Sequence, residues 1–346
     1  MDVRYTPEQA ELRRTARRLA RELGPRTVAD LDDDKRARRL AEAVCDAGWL
    51  ELRHDGDGGP LASGVEAAII AEALGEAVAD VAFAGPVLGA DLARRAGARP
   101  IEGTGVAFSP ELVDIEMVSG PVTTSALYAV DVAPLGARAA FVLAPEGGGY
   151  RLARVPVDGA RGGADLTRAV REIPAGVRPL PVPDQSRLLT SADLDAWRAL
   201  GLALTCADLV GIMRGVLELT VSYARERKQY GVPIGSFQAV QHLLAEAQCL
   251  MEGASSIALH PSWGVDDLAP GDARHAGRVA KVYCARAART VCETAVQVHG
   301  GMGNTWDCIV HVYLRRALLS SRWFGDDGEH LRQLQQTRLA VTHGLS

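Results

Sequence analysis

At 346 residues the chain is long enough for two or three packed units, and its 47% hydrophobic and 23% charged residues are those of an ordinary soluble globular protein. A formal net charge of -5 argues against a nucleic-acid partner, which needs a basic surface. No apolar run is expected to span a membrane, and Met1-Asp2-Val3-Arg4 has no basic-then-apolar leader, so the cytoplasm is the expected location.

From Thr6 to about Pro100 the pattern is helical. Thr6-Pro7-Glu8-Gln9 sets an N-cap, a proline at the first helical position and an acid in the first turn. Behind it Leu12, Ala16, Leu19 and Leu23 recur at the spacing of one buried face. The spacing predicts a second helix from Ser63 to Leu74, stopped by Gly75, and the Gly- and Asp-rich segment Arg53 to Pro60 predicts a loop between them. From Ile101 to Pro181 the texture is β. Short apolar runs such as Ala139 to Leu143 alternate with turn formers, notably Gly147-Gly148-Gly149, which suggests a small barrel or sandwich. Pro179 to Pro183 reads as the linker out of it.

From Ser191 onward the pattern is helical again. Leu194 to Tyr230 lacks an internal proline and is expected to close at Gly231, followed by helices at Phe237 to Ile257, His275 to His299 and Cys308 to Ser321. Long antiparallel helices of this kind make a four-helix bundle. The fold class is therefore mixed, mainly α: an N-terminal helical domain (1–100), a small middle β-domain (101–183) and a C-terminal four-helix bundle (184–346). The six cysteines form no C-x-x-C pair and read as buried hydrophobes, not as disulfides.

Two motifs stand out. The first is Arg225-Glu226-Arg227-Lys228-Gln229-Tyr230-Gly231, leading to Phe237-Gln238. Taken alone it is a sound way to end a helix, because cations suit the carbonyl end. The second is Gln297-Val298-His299-Gly300-Gly301-Met302-Gly303. Glycines at that spacing let a backbone approach a ligand, although a plain interhelical turn uses them too. Asn304-Thr305, or Asp307 with Thr305, would cap the next helix, and His299 fits as packing of the glycine turn.

Together, in this order, the two motifs resemble the acyl-CoA dehydrogenase family, and in particular the short subunits of its heteromeric members. Thr6 to Gln9, Ala47-Gly48-Trp49-Leu50 and Ala71-Glu72-Ala73-Leu74-Gly75 are similar to the family's N-terminal domain. The resemblance implies an FAD stretched across a subunit interface. Arg227 would meet its pyrophosphate, with Gln229, Phe237 and Gln238 beside it, while Gln297, Gly300 and Gly301 would hold the adenine end. A guanidinium fork matches phosphate oxygens, and glycines admit the nucleotide edge. No metal site is expected: Cys308-x-x-His311 has no further ligands.

The resemblance breaks at the base. The family takes an α-proton from an acyl thioester with a carboxylate while a hydride passes to flavin, and that carboxylate must be ionised and close. Phe324 stands in its usual place, and Gly201 in the other place some members use. Nor does Gly103 to Gly136, with its run Val118 to Ala126, show the family's flavin-ring strand, Thr-Glu-Pro-x-x-Gly-Ser-Asp, or the tryptophan-bearing strand expected after it. Asp326 and Asp327 lie nearby but suit helix capping, and Asp208 suits a solvated or bundle-polar place.

Three functions stay open. One is a subunit donating FAD contacts to a homologous catalytic partner that acts on an acyl-CoA or acyl-carrier thioester. Another is a self-sufficient flavoenzyme, a homodimer or tetramer, with Asp326 or another relocated acid as its base and an unusual acyl-CoA or acyl-carrier thioester as its substrate. The third is a flavin-free, non-redox family member.

Overall fold

The computed structural model describes residues 4–56, 59–99, 101, 104–122, 127–132, 139–157 and 161–342. Helix α1 (Pro7–Leu23) begins as its sequence dictates: the Thr6 hydroxyl accepts the Gln9 N–H, and the Gln9 amide oxygen accepts the Thr6 N–H. Two otherwise unpaired donors are thereby satisfied. Ala16 is sealed, and Leu12, Leu19 and Leu23 pack at the margin of the same core. Asp33 caps α2 (Asp34–Asp46), and Ser63 with Glu66 forms a capping box on α3 (Gly64–Glu76).

The Arg53–Pro60 segment is a loop, drawn together by a ladder of β1 (Asp55–Gly56) and β2 (Gly59–Pro60), with residues 57 and 58 outside the described set. Its Arg53 side chain is buried and pairs with Asp91 at 3.2 Å and Asp266 at 2.9 Å. Gly75 does not stop α3, which runs on to Glu76. It is a site of close approach, where a Cβ would strike the Asp208 carbonyl of the bundle. Helix α4 (Ala84–Arg95) is capped from afar: Asp131 Oδ2 accepts the N–H groups of Phe83 and Gly85 at 3.0 Å each.

Among the described residues seven strands form the sheet: β3 (Gly105–Phe108), β4 (Leu127–Val130), β5 (Ala139–Glu146), β6 (Gly149–Pro156), β7 (Arg161–Gly162), β8 (Val170–Ile173) and β9 (Leu180–Pro181). Their order is β7-β8-β4-β3-β5-β6-β9, with β3 and β5 parallel and every other pair antiparallel. The β5–β6 hairpin turns at Gly147 and Gly148, both at positive φ. The order has two ends, so among the described residues the sheet is open and not a closed barrel. The expected linker at Pro179–Pro183 instead supplies edge strand β9, where a proline costs no ladder hydrogen bond.

The bundle comprises α5 (Ser191–Glu226), α6 (Gln238–Asp267), α7 (Pro270–His299) and α8 (Val310–Arg322), with α9 (Asp327–Thr342) against α7. Contrary to the expectation from sequence, α5 is long and apolar enough to cross a membrane, yet 94% of its apolar window is buried within the fold. It ends at Glu226, not at Tyr230. Tyr230 and Gly231 have φ of 51° and 84° and form the turn between β10 (Lys228–Gln229) and β11 (Val232–Pro233). Two consecutive positive φ values are what a tight hairpin turn of this hand requires, so Gly231 serves the hairpin and not a helix stop. Helix α6 continues past Ile257 and through Pro261. Helix α8 has no side-chain cap: the Thr305 hydroxyl donates back to the Met302 carbonyl, so neither Asn304-Thr305 nor Asp307 plays the expected part. Cys45 and Cys249 are exposed, unlike the other four cysteines.

Candidate functional site

Arg227 is the first residue beyond α5. Its backbone N–H donates to the Tyr223 carbonyl at 2.8 Å, and its own carbonyl accepts the Ile234 N–H at 2.8 Å. The β10–β11 hairpin thus folds back on it and exposes Gln229. Phe237 starts α6 with its ring edge-on to Tyr230, at 6.5 Å. At the end of α7 the chain turns at Gly300, with φ 63° and ψ -144°, a conformation open in practice only to glycine. A Cβ at Gly300 or Gly301 would meet nothing within 4 Å, so this backbone faces free space. The two turns leave the bundle at one end, because the Tyr223 ring of α5 stacks on His299 of α7 at 4.2 Å and 17°.

The donor set there is unspent. Among the described residues the side chains of Arg227, Gln229, Gln238 and Gln297 make no hydrogen bond or ion pair within the chain, and all four residues are exposed. A free guanidinium, three free amides and an open diglycine turn suit a phosphate-bearing dinucleotide.

The two places where the resemblance expects a base are closed. Gly201 on α5 and Phe324 after α8 face each other, and a Cβ on Gly201 would overlap the Phe324 ring. Around that ring stand Trp197 at 5.1 Å, Phe108 at 5.2 Å and Trp323 at 5.9 Å between centroids. The Trp197 indole donates to the Leu88 carbonyl at 3.1 Å, and the Phe324 N–H donates to the Leu112 carbonyl at 2.8 Å. Phe324 is 3% exposed, so this corner is filled by aromatic rings and holds no proton acceptor of its own.

Beneath it lies a charge cluster that local sequence did not announce. Asp208 is 2% exposed; it accepts from Arg316 at 2.7 Å and Ser320 at 2.7 Å and pairs with Arg168 at 2.8 Å. Burial alone would raise its pKa, but Arg168 and Arg316 bring it below the usual carboxylate value. Arg316 also donates to the Ala79 carbonyl at 2.7 Å, and the Arg168 guanidinium lies 5.5 Å above the Trp323 ring. Asp208 is thus a bundle-polar residue and not a solvated one. Its partners Arg168, Arg316 and Ser320 lie 40, 108 and 112 residues away in sequence, too far for any motif to link them.

Asp326 accepts the Glu329 N–H at 2.8 Å and caps α9, while Asp327 pairs with Arg286 at 2.6 Å. Both line the rim of a cleft of about 820 Å³ between the sheet, at Tyr128 and Val170, and α7 and α8. Strands β3 and β4 run through the region where no family motif was found. Residues 123–126 of the Val118–Ala126 run lie outside the described set. His311 stands edge-on to Trp306 at 5.1 Å, and no metal-holding group of His, Cys, Asp or Glu occurs among the described residues.

Residues 6–98 match the family model for the acyl-CoA dehydrogenase N-terminal domain, and residues 200–339 match that for the C-terminal domain. The chain is 29% identical to acyl-CoA dehydrogenase IpdE2 of Mycobacterium tuberculosis, over 95% of this chain and 97% of that protein. It is 31% identical to acyl-CoA dehydrogenase FadE34 of the same organism, over 63% of this chain but only 36% of that longer protein. Among solved structures, the ChsE4-ChsE5 complex from Mycobacterium tuberculosis aligns with a TM-score of 0.77 at 23% identity, over 97% of this chain and 98% of that one.

Proposed function

This chain belongs to the acyl-CoA dehydrogenase family, and we propose that it is the subunit that lends FAD contacts to a related partner carrying the catalytic carboxylate. When bound, the flavin would take up the hydride lost from the β-carbon of an acyl thioester. Arg227 would pair with its diphosphate, with Gln229, Phe237 and Gln238 alongside. Gln297, Gly300 and Gly301 would hold the adenosine end.

The observation that carries this proposal is the Gly201–Phe324 contact, which leaves neither family position for a base able to accept a proton. Distance supports it as well. Gly201 and Arg227 are 26 residues apart along α5, roughly 39 Å at about 1.5 Å per residue, too far for one flavin to touch both. A berth at one end of the helix therefore suits a catalytic position supplied by another subunit. The similar ChsE4-ChsE5 structure is itself a complex of two differently named chains. Nothing favours Asp326 as a base, since its carboxylate is engaged in capping α9.

The test is an absorption spectrum of the chain purified alone and after co-expression with a dehydrogenase encoded beside it. We expect a colourless chain alone, and stoichiometric flavin with acyl-CoA oxidation in the complex. Stoichiometric flavin and turnover in the lone chain would overturn the proposal, and a chain that takes up no flavin in any complex would favour the non-redox alternative.

A further inference from the structure

A cavity of about 270 Å³ opens where the start of α1 meets α3, α5 and α6, with an apolar floor of Ile69, Val210, Ala258 and Leu259. It is separate from the closed corner and from the FAD berth. Val210 lies nine residues beyond Gly201, about two and a half turns, and so on the opposite face of α5. It is also 17 residues short of Arg227, roughly 25 Å along the helix. At the polar end stand Tyr5 and Glu72. Arg13 and Arg214 both approach Glu72 at Oε1, at 3.2 and 3.3 Å, and no hydrogen bond reaches its Oε2 among the described residues. The Arg13 guanidinium also lies 5.6 Å over the Tyr5 ring, which sets that ring beside the same carboxylate.

Burial, then the Glu72 charge, raise the Tyr5 pKa above the usual phenol value, so its hydroxyl stays a donor. Yet the two groups share no hydrogen bond, and the Tyr5 hydroxyl has no other partner among the described residues. A donor and an acceptor thus line one cavity with a gap between them. An alcohol hydroxyl closes that gap, because its one oxygen accepts from Tyr5 while its hydrogen goes to Glu72. A ketone or ether leaves the carboxylate unmatched, and a carboxylate ligand meets like charge. A water molecule satisfies the polar end but leaves the apolar floor uncovered. An apolar cavity of about 150 Å³ takes a benzene ring, so 270 Å³ has room for roughly ten non-hydrogen atoms. We propose that this cavity binds a neutral aliphatic or alicyclic alcohol of about eight to ten carbons, its hydroxyl between Tyr5 and Glu72 and its hydrocarbon on Ile69, Val210 and Leu259. The occupant ties α1, α3, α5 and α6 together and stabilises the folded chain by mass action.

The test titrates the full chain, in the oligomer in which it is purified, with 1-octanol, read by melting temperature and by calorimetry. Octanol should raise the melting temperature saturably. Two probes of similar size isolate the hydroxyl: 1-methoxyheptane keeps the acceptor and loses the donor, and octanoate brings a charge beside Glu72. Each should bind about tenfold or more weakly than octanol. Tyr5→Phe keeps the ring under Arg13 and removes the hydroxyl; it should weaken octanol binding about 2- to 10-fold while the unliganded protein melts as the parent does. Ser255→Phe fills the cavity from the half-buried face of α6 and should abolish the octanol shift. A parent protein that shows no saturable response to octanol overturns the proposal. So does equal affinity for the ether or for octanoate, an unchanged octanol affinity in Tyr5→Phe, or a folded Ser255→Phe protein that still binds octanol as the parent does.

Discussion

Phe324 sits at φ 68°, in the left-handed region that costs a ring-bearing residue roughly 1–2 kcal/mol, and it is held there by its N–H to Leu112 and by three surrounding rings. Truncation to alanine keeps that strain and empties a buried ring site, so Phe324→Ala should lose about 3–5 kcal/mol, read as a lower urea midpoint. Gly201→Ala sets two effects against each other. Helix propensity predicts a gain of roughly 0.5–1 kcal/mol, whereas the new methyl group would overlap the Phe324 ring at a cost of about 1–3 kcal/mol. A net loss is expected; a more stable protein would show that the ring has room to retreat. The apolar character of both positions was legible from residue identity. That they meet each other was not, because 123 residues separate them.

Among the elements, the Asp208 cluster joins α5 to α8, to the loop before β8 through Arg168, and to the segment after α3 through the Ala79 carbonyl. Removing one partner of a buried ion pair leaves the others desolvated and uncompensated. Asp208→Ala should therefore cost about 3–5 kcal/mol, while a surface acid such as Glu11, exposed beside Arg14, should cost almost nothing when changed to alanine. Equal melting temperatures for Asp208→Ala and the parent would show that water takes over the role of the carboxylate. The helices themselves were legible because periodicity and caps are local signals, as Thr6 and Ser63 show. Their ends were not legible where a distant element decides them: Gly75 yields to the approach of α5, and Gly231 to a hairpin.

For the whole molecule, the telling group is His330, 4% exposed on α9. Burial, then Lys281 and Arg278, lower its pKa from 6.5 to about 4. The unfolded chain therefore binds a proton between pH 6.5 and pH 4 that the folded chain refuses, and stability must fall as pH drops through that window. The full effect is on the order of 3 kcal/mol. Urea midpoints at pH 7 and pH 4.5 should differ less for His330→Leu than for the parent. An unchanged pH dependence would assign the loss to other groups.

Sequence by itself determined the order of helices, sheet and bundle, the family, and the apolar identity of Gly201 and Phe324, because periodicity, motif and residue identity are properties of short stretches. Only the tertiary structure decided that α5 and α7 bring Arg227 and Gly300 to one end, that Gly201 meets Phe324 near the other, and that Asp208 is locked between two arginines. Each of these depends on packing between residues far apart in the chain, where burial and excluded volume set which groups meet and no local pattern records the outcome.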